Sequence, residues 1–210
     1  MYKNIIEYLG HEDFHTNTPL ISMPLRDGNL VSLADLVGPG EHDELCGLVA
    51  EQILKALDYL AFYGMCHRGV KPDNILYTNL GQKEFLFQLA DFGMASLSQM
   101  AVTSCGTNWY QAPELYQNYG KAPQTPKMDV WSLAATILAT HHSFPFPPFH
   151  ARAYHEVFEA VQTCVAGIPF LKRMAAEDPE RRASAAQMLI APFQDIGLTT
   201  PRGHVPPLML

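Results

Sequence analysis

Apolar residues recur at helical spacing in two long stretches of the chain. Between Leu45 and Leu60 they keep an i, i+3, i+4 rhythm, and Gly64 follows where such a helix could end. From Met128 to Thr140 the chain is apolar on nearly all sides, which is typical of a helix buried inside a domain. We predict shorter helices over residues 30–37, 155–164, 169–176 and 183–189.

Short apolar runs elsewhere favour strands. Residues 5–9 and 19–23 suit a β-hairpin, and residues 75–77 and 85–89 suit two further strands. Residues 91–126 carry turn-forming residues without periodicity, and a loop of that length inside a domain is usually functional. The proline-rich tail, residues 199–210, is expected to be loose.

Composition narrows the classes of function. The net charge is -7 and no Lys/Arg cluster occurs, so we expect no nucleic-acid binding. No apolar run approaches the roughly 20 residues that span a bilayer, so we expect no membrane segment. The start of the chain lacks a signal-peptide core and the four cysteines are unpatterned, which favours an intracellular protein, cytoplasmic or nuclear.

Five motifs follow one another in a fixed order, and the set is more specific than any member. They are MCHRGVKPDNIL at 65–76, LADFGMAS at 89–96, CGTNWYQAPELY at 105–116, KMDVWSL at 127–133 and DPERRASAAQML at 178–189. Together they resemble the signature set of eukaryotic protein kinases over about residues 4–193. Lys71 and the GT-x-x-Y-x-APE stretch resemble the serine/threonine type, and the CGT and RRASAAQML stretches resemble its calmodulin-dependent and checkpoint branch.

The resemblance implies an α+β fold, the mostly helical kinase C-lobe with a small β-hairpin remnant of the N-lobe. We assign residues 1–25 to the N-lobe remnant and hinge, residues 26–198 to the C-lobe and residues 199–210 to the tail. The family's glycine-rich loop, strand lysine and αC glutamate have no counterpart in these 210 residues, which suggests a truncated kinase domain with a degenerate ATP site.

One departure from the family pattern bears directly on catalysis. The catalytic loop reads HRD-x-K-x-x-x-N in the family, and here Gly69 stands at the aspartate that accepts the proton of the substrate hydroxyl. Loss of a positioned general base typically costs about 10²–10⁴-fold in rate. Thr107 resembles the family threonine that contacts this base and the loop lysine, Lys71, so it loses one partner.

Other positions of the nucleotide site are retained. By resemblance, Asn74 and Asp91 match the two magnesium ligands, Leu76 the floor of the adenine slot, and Lys71 the residue near the transferred phosphate. The alternative, which we favour, is that they persist as scaffold: Asn74 bonds the loop backbone, Asp91 caps a turn and Leu76 belongs to the core. We therefore expect no cofactor, or ATP and Mg²⁺ if residual binding survives.

Several matched residues have structural roles in the family. Glu114 should pair with Arg182 in a buried ion pair, and Asp129 should accept hydrogen bonds from the backbone of the catalytic loop. His67 and Phe92 should stack in the interior.

The resemblance also gives expectations for Tyr8 and Arg68. Tyr8 should lie above the stack of His67 with the DFG phenylalanine. Arg68 either binds a phosphate on Thr103 or Ser104 or bonds neighbouring carbonyls, and the sequence does not choose between the two.

A second motif competes with the kinase interpretation. His11, Glu12 and His15 match H-E-x-x-H, which in zinc peptidases requires both histidines on one helix face. Here the match falls between two predicted strands, so a hairpin loop is favoured over a metal site.

These observations lead to a pseudokinase acting as a binding or regulatory module. We expect a protein partner, or a second copy of the chain, on the hairpin and on the cleft floor around Leu76 and Phe92, which no N-lobe covers. The alternatives are a serine/threonine kinase with weak residual ATP-dependent transfer, a zinc peptidase, and a decaying gene product or cut-down piece of a longer kinase-like protein.

Overall fold

The computed structural model describes residues 2–13, 15, 20–38, 40–97, 108–117, 124–141 and 154–208. Seven helices lie in these residues: α1 Leu30–Leu36, α2 His42–Phe62, α3 Pro113–Gln117, α4 Lys127–Thr140, α5 Tyr154–Val165, α6 Pro169–Met174 and α7 Ala185–Phe193. All six predicted helices are confirmed, with ends that differ by a few residues, and α3 is additional.

The strands of the described residues form three small antiparallel sheets. Strand β1 (Gly10–Glu12) pairs with β2 (Leu20–Ser22), and β4 (Met65–Cys66) pairs with β7 (Ser96–Leu97). The third sheet has the order β3 (Gly28–Asn29), β5 (Ile75–Gly81), β6 (Glu84–Leu89). The fold is therefore mixed α+β, as predicted.

The core lies around α2 and α4. Helix α4 buries residues on all sides, including Trp131 and Leu133, so its uniform apolarity reflects a central position. Helix α2 packs against α4, α7 and β6, and its end is followed by Gly64 with φ 69, a left-handed conformation that glycine adopts without steric cost. No helix in the described part of the chain is long and apolar enough to cross a membrane.

The predicted hairpin forms, but its first strand lies later in the chain than predicted. Residues 5–9 are not its first strand, because that strand starts at Gly10 with Gly10 opposite Ser22. Instead, the Ile6 N–H donates to the Leu89 carbonyl at 2.9 Å, and the Leu89 N–H donates to the Asn4 carbonyl at 2.9 Å. A short apolar run shows that backbone pairing is favourable, but not which strand is the partner.

Side chains reinforce the pairing of the N-terminal segment with β6. The Asn4 amide donates to the Phe87 carbonyl and to Gln52 Oε1, both at 2.9 Å, while Gln52 itself donates to the Phe85 carbonyl. Residue 4 is thus bonded to elements of the helical body. The division between residues 25 and 26 stays a prediction.

The described parts of residues 91–126 contain more regular structure than the sequence pattern indicates. Two 3₁₀ turns, Phe92–Met94 and Asn108–Tyr110, lie in it together with β7 and α3. Residues 98–107 and 118–123 are outside the described residues. Elements of two to five residues are too short to produce a visible period, which is why the pattern indicated only a loop.

The prediction of a loose tail is wrong for its described part, residues 199–208. Asp58 on α2 is 1% exposed and accepts hydrogen bonds from the Thr199 and Thr200 N–H groups. Farther along, the Gln187 amide donates to the Pro206 carbonyl at 3.0 Å. Side chains distant in sequence hold the tail, and local composition carries no information about them.

Candidate functional site

The catalytic-loop motif lies between β4 and β5 and lines a cavity. The loop leaves β4 at Cys66, passes through residues 67–71 and enters a 3₁₀ turn at Pro72–Asn74 before β5 begins. The cavity has a volume of about 230 Å³, and its wall includes Gly69, Lys71, Asn74 and Asp91. The structure therefore brings these four predicted site residues together.

Gly69 leaves space where the family has a carboxylate. A Cβ atom at this position would lie 3.4 Å from Asn74 Nδ2 and 3.5 Å from His67 Cε1, which are ordinary contacts. Its φ lies outside the left-handed region that favours glycine. Neither backbone conformation nor crowding requires a glycine here.

The two predicted magnesium positions already have protein partners. The Asn74 amide donates to the Gly69 carbonyl at 2.8 Å, and Asp91 Oδ1 accepts from the Gly93 N–H at 3.3 Å. Asp91 has φ 63 and caps the 3₁₀ turn that follows it. These contacts leave Asn74 Oδ1 and Asp91 Oδ2 as oxygens of the kind that hard cations bind, so the residues fit a magnesium-nucleotide as well as the scaffold interpretation.

Lys71 lines this cavity, whereas Leu76 is not among its lining residues. Leu76 lies on β5 opposite Asn29 and Gln88 and is half-buried, so it combines a place in the sheet with a partly open face. Lys71 is half-buried, in extended backbone, and precedes the 3₁₀ turn.

Asp129 at the start of α4 fixes the loop backbone, as predicted. Its carboxylate accepts the His67 N–H at 2.7 Å and the Arg68 N–H at 2.8 Å. Asp129 is 2% exposed, and this burial raises its pKa to about 6, against the opposing effect of the two N–H groups and the Arg68 charge. The arrangement holds the loop whether or not position 69 carries a base.

His67 and Phe92 stack, as predicted, with ring centroids 4.7 Å apart and an interplanar angle of 84°. His67 is fully buried, and the loss of hydration lowers its pKa to about 4, so the ring is neutral at pH 7. Its Nδ1 then accepts the Gly69 N–H at 3.2 Å and its Nε2–H donates to the Ala90 carbonyl at 3.1 Å.

The expected place of Tyr8 above this stack is wrong. Tyr8 is 60% exposed, and its ring stacks on His11 with the phenol oxygen bonded to His11 Nδ1. The residue lies just before β1, where its side chain is directed to the hairpin rather than the interior.

Arg68 bonds carbonyl and amide oxygens of neighbouring segments. Its Nε–H donates to the Met94 carbonyl at 2.7 Å, and Nη1 donates to Gln124 Oε1 at 3.3 Å. This is the second of its two predicted roles. The phosphate-binding role stays a prediction, because the proposed phosphosites Thr103 and Ser104 lie outside the described residues, as does Thr107.

The predicted pair of Glu114 and Arg182 forms a buried, bidentate ion pair. Arg182 Nη1 and Nη2 donate to the two carboxylate oxygens at 2.7 and 2.8 Å. Arg182 is 1% exposed, and its remaining donors bond the carbonyls of Ala176, Glu177 and Lys127. Its guanidinium also lies 5.3 Å from the Trp131 ring centroid. The carboxylate, the carbonyl oxygens and this ring together compensate the buried positive charge.

The competing zinc motif does not have the geometry of a helical site. His11 and Glu12 lie on strand β1. Consecutive residues of a strand point to opposite faces, so this backbone cannot present the helical H-E-x-x-H arrangement. Across the described part of the chain, no group of three or more His, Cys, Asp or Glu side chains could hold a metal ion.

Sequence reasoning missed a polar link between α4 and the segment before α3. Ser132 donates its hydroxyl to the Tyr110 carbonyl at 2.7 Å in a buried setting. A serine inside an otherwise apolar helix was the available signal, because a buried hydroxyl requires a partner.

Comparisons with known proteins identify the family of this chain. A family model described as "Protein kinase domain" matches residues 1–194. A probable myosin light chain kinase of Dictyostelium discoideum is 28% identical over 208 residues, covering 91% of this chain and 52% of that protein. The serine/threonine-protein kinase chk-2 of Caenorhabditis elegans is 31% identical over 201 residues, covering 88% of this chain and 38% of its own.

A third relative, the cytokinesis protein sepH of Aspergillus niger, is 32% identical over 205 residues, which is 91% of this chain and 14% of sepH. The chain therefore spans about half or less of the length of these three relatives. Members of the protein kinase family normally use ATP and Mg²⁺. The matched family model and these relatives place the chain in the protein kinase family, among the eukaryotic serine/threonine kinases.

Proposed function

We propose that this protein is a pseudokinase that acts as a binding or regulatory module rather than as a phosphotransferase. The observation that carries the proposal is Gly69 at the position of the catalytic base. A hydrogen atom in place of a carboxylate can neither accept the substrate proton nor orient the substrate hydroxyl.

Three features support the view that this glycine reflects lost chemistry rather than a structural need. The φ of Gly69 is outside the left-handed region, and a Cβ there would meet only ordinary contacts. The neighbouring Asp73 is exposed and sits in the 3₁₀ turn, where it has a different backbone position from residue 69. A side chain could therefore start at position 69 without crowding its Cβ atom, yet the chain has none there.

The retained polar contacts support a stable module. Asp129 holds the loop backbone, Arg182 holds Glu114, and Asn74 bonds the Gly69 carbonyl. These contacts require neither a nucleotide nor a base at residue 69. A kinase fold can therefore persist as a recognition surface after phosphotransfer is lost.

The surface around β1 and β2 is the proposed partner face. Six large apolar side chains there are between 43% and 95% exposed: Tyr8, Leu9, Leu20, Ile21, Met23 and Leu25. Several exposed large apolar residues on and beside a short two-stranded sheet favour a protein contact. The occupant is a partner protein or a second copy of this chain.

Sedimentation across a concentration series distinguishes these occupants. Self-association predicts a rise in mass with concentration that Ile21→Lys on β2 abolishes. Val31→Lys, on an exposed position of α1 that is 44% exposed, serves as the matched control and should leave the association unchanged. A chain that stays monomeric and also fails to bind any protein through this face would contradict the proposal.

The second candidate is a serine/threonine kinase with weak residual ATP-dependent transfer. It is favoured by the oxygens of Asn74 and Asp91 that remain available for Mg²⁺. In that case Asn74 and Asp91 would hold the metal-nucleotide, which supplies the phosphoryl group. Lys71 would neutralise charge beside it.

One experiment separates the two candidates. Wild type, Asp91→Ala, Gly69→Asp and the double variant Gly69→Asp/Asp91→Ala are assayed for phosphate incorporation from labelled ATP and for the melting shift with ATP and Mg²⁺. The proposal expects no incorporation by wild type. Steady incorporation by wild type that Asp91→Ala abolishes would overturn it and establish the residual kinase.

A further inference from the structure

The described C-terminal tail, residues 199–208, is held at one buried carboxylate. Asp58 Oδ2 accepts the Thr199 N–H at 2.6 Å and the Thr200 N–H at 3.0 Å. Asp58 Oδ1 accepts the Thr200 hydroxyl at 2.6 Å. Asp58 is 1% exposed and lies on α2, so the tail is fastened to a central helix.

The third of these hydrogen bonds depends on a hydroxyl proton. Thr200 is half-buried and is followed by the exposed Pro201. Proline-directed serine/threonine kinases require a proline directly after the acceptor residue, and Pro201 differs from any other residue there in lacking a backbone N–H. The rest of the described tail is held elsewhere: the Gln187 amide on α7 donates to the Pro206 carbonyl at 3.0 Å and to the Pro207 carbonyl at 3.3 Å, and Leu208 packs against the core.

We propose that Thr200 is a phosphorylation site and that its modification releases Thr199 and Thr200 from Asp58 on α2. In the reaction, the Thr200 hydroxyl oxygen forms a bond to the γ-phosphorus of ATP while the bond to the ADP oxygen breaks. The hydroxyl proton passes to the base of the modifying kinase. The reaction becomes possible when residues 199 and 200 open locally, as segments near chain ends do.

Electrostatics determine the consequence. A phosphate monoester carries about -1.5 to -2 charges at pH 7 and no longer donates a proton where Thr200 did. It would then face the Asp58 carboxylate at the distance of the former hydrogen bond, with both groups negative. Like charges in a buried setting repel strongly, so the hydrogen bonds that hold Thr199 and Thr200 to Asp58 are lost.

Asp58→Asn provides a control that follows from the same geometry. The carbonyl oxygen of the introduced amide can take the place of Oδ2 and accept both N–H groups. The NH₂ group of that amide can take the place of Oδ1 and donate to the Thr200 oxygen. All three contacts can persist, except that in the third the residue 58 amide donates to the Thr200 oxygen instead of accepting from it. The same amide can also donate to a phosphate oxygen.

The test treats the full chain with a proline-directed serine/threonine kinase and Mg-ATP, then maps phosphate by mass spectrometry and amide exchange by deuterium uptake. We expect phosphate on Thr200 and a loss of protection at Thr199 and Thr200 of at least about tenfold in wild type. Protection in α4 should stay unchanged, which shows that the domain remains folded. In Asp58→Asn the loss at the two tail amides should be less than about threefold.

Thr125, which also precedes a proline, is the internal comparator because its hydroxyl oxygen is buried in the described structure. We expect no phosphate there. The proposal is overturned if Thr200 stays unmodified while a synthetic peptide of residues 195–208 is phosphorylated. It is also overturned if phosphorylated Thr200 keeps its protection, or if Asp58→Asn loses protection to the same extent as wild type.

Discussion

The catalytic loop has an inner side and a cleft side, and the two differ in what they retain. On the inner side, Asp129 accepts two backbone N–H groups and His67 stacks on Phe92 in full burial. On the cleft side, Gly69 presents no functional group to the cavity. The inner side keeps the contacts that hold the fold, which are required for stability whatever the function, whereas the cleft side has no carboxylate at residue 69.

The largest expected effect on stability comes from the buried ion pair. Arg182→Ala leaves the Glu114 carboxylate buried without its partner, so the free energy of unfolding should fall by about 3–5 kcal/mol. Arg202→Ala removes an exposed pair with Asp195 at 3.5 Å and should cost less than about 1 kcal/mol. Urea unfolding measures both, and equal losses would contradict the distinction between the buried and exposed pairs.

The next effect concerns the pH dependence of stability at His67. Its folded pKa of about 4 lies below the unfolded value of 6.5, so as pH falls the unfolded chain binds the proton first. Lowering the pH from 7 to 5 should therefore remove about 2 kcal/mol of the stability that His67 contributes. His67→Phe keeps an aromatic ring beside Phe92 and should show a flatter profile.

Asp129 has the opposite effect on the pH dependence of stability over part of this pH range. Its folded pKa is raised to about 6, so between about pH 6 and 4 the folded chain binds the proton first and gains stability as pH falls. The difference between the wild-type and His67→Phe profiles isolates the histidine from this effect. Identical slopes for the two proteins would refute the assignment of a depressed pKa to His67.

The smallest expected effects on the free energy of unfolding come from replacing two glycines, Gly197 and Gly69, by alanine. Gly197 has φ 77, so Gly197→Ala forces an alanine into the left-handed region beside Lys55 and should cost about 1 kcal/mol or more. Gly69→Ala meets ordinary contacts at an unexceptional φ and should change the free energy of unfolding by less than about 1 kcal/mol. Thermal unfolding of the two variants tests whether position 69 is free of structural constraint, and a large loss for Gly69→Ala would contradict it.

Much of the site followed from motif spacing. The partners of Asp129 and Arg182 were predicted residue by residue, because ordered motifs identify positions whose contacts the kinase fold preserves. The place of Tyr8 and the first hairpin strand were not predicted correctly. Both lie near the start of the chain, where short apolar runs can pair in several ways of similar energy.

The amino-acid sequence by itself determined the long helices, the family and the absence of a side chain at position 69. Periodicity and motif order are properties of the sequence itself, so they can be recognised without knowledge of the fold. Only the tertiary structure decided that position 69 has room for a Cβ atom and that Asp58 holds the tail through Thr199 and Thr200. Those facts depend on which distant side chains meet, and the free energy of burying a polar group is set by the partners it finds there.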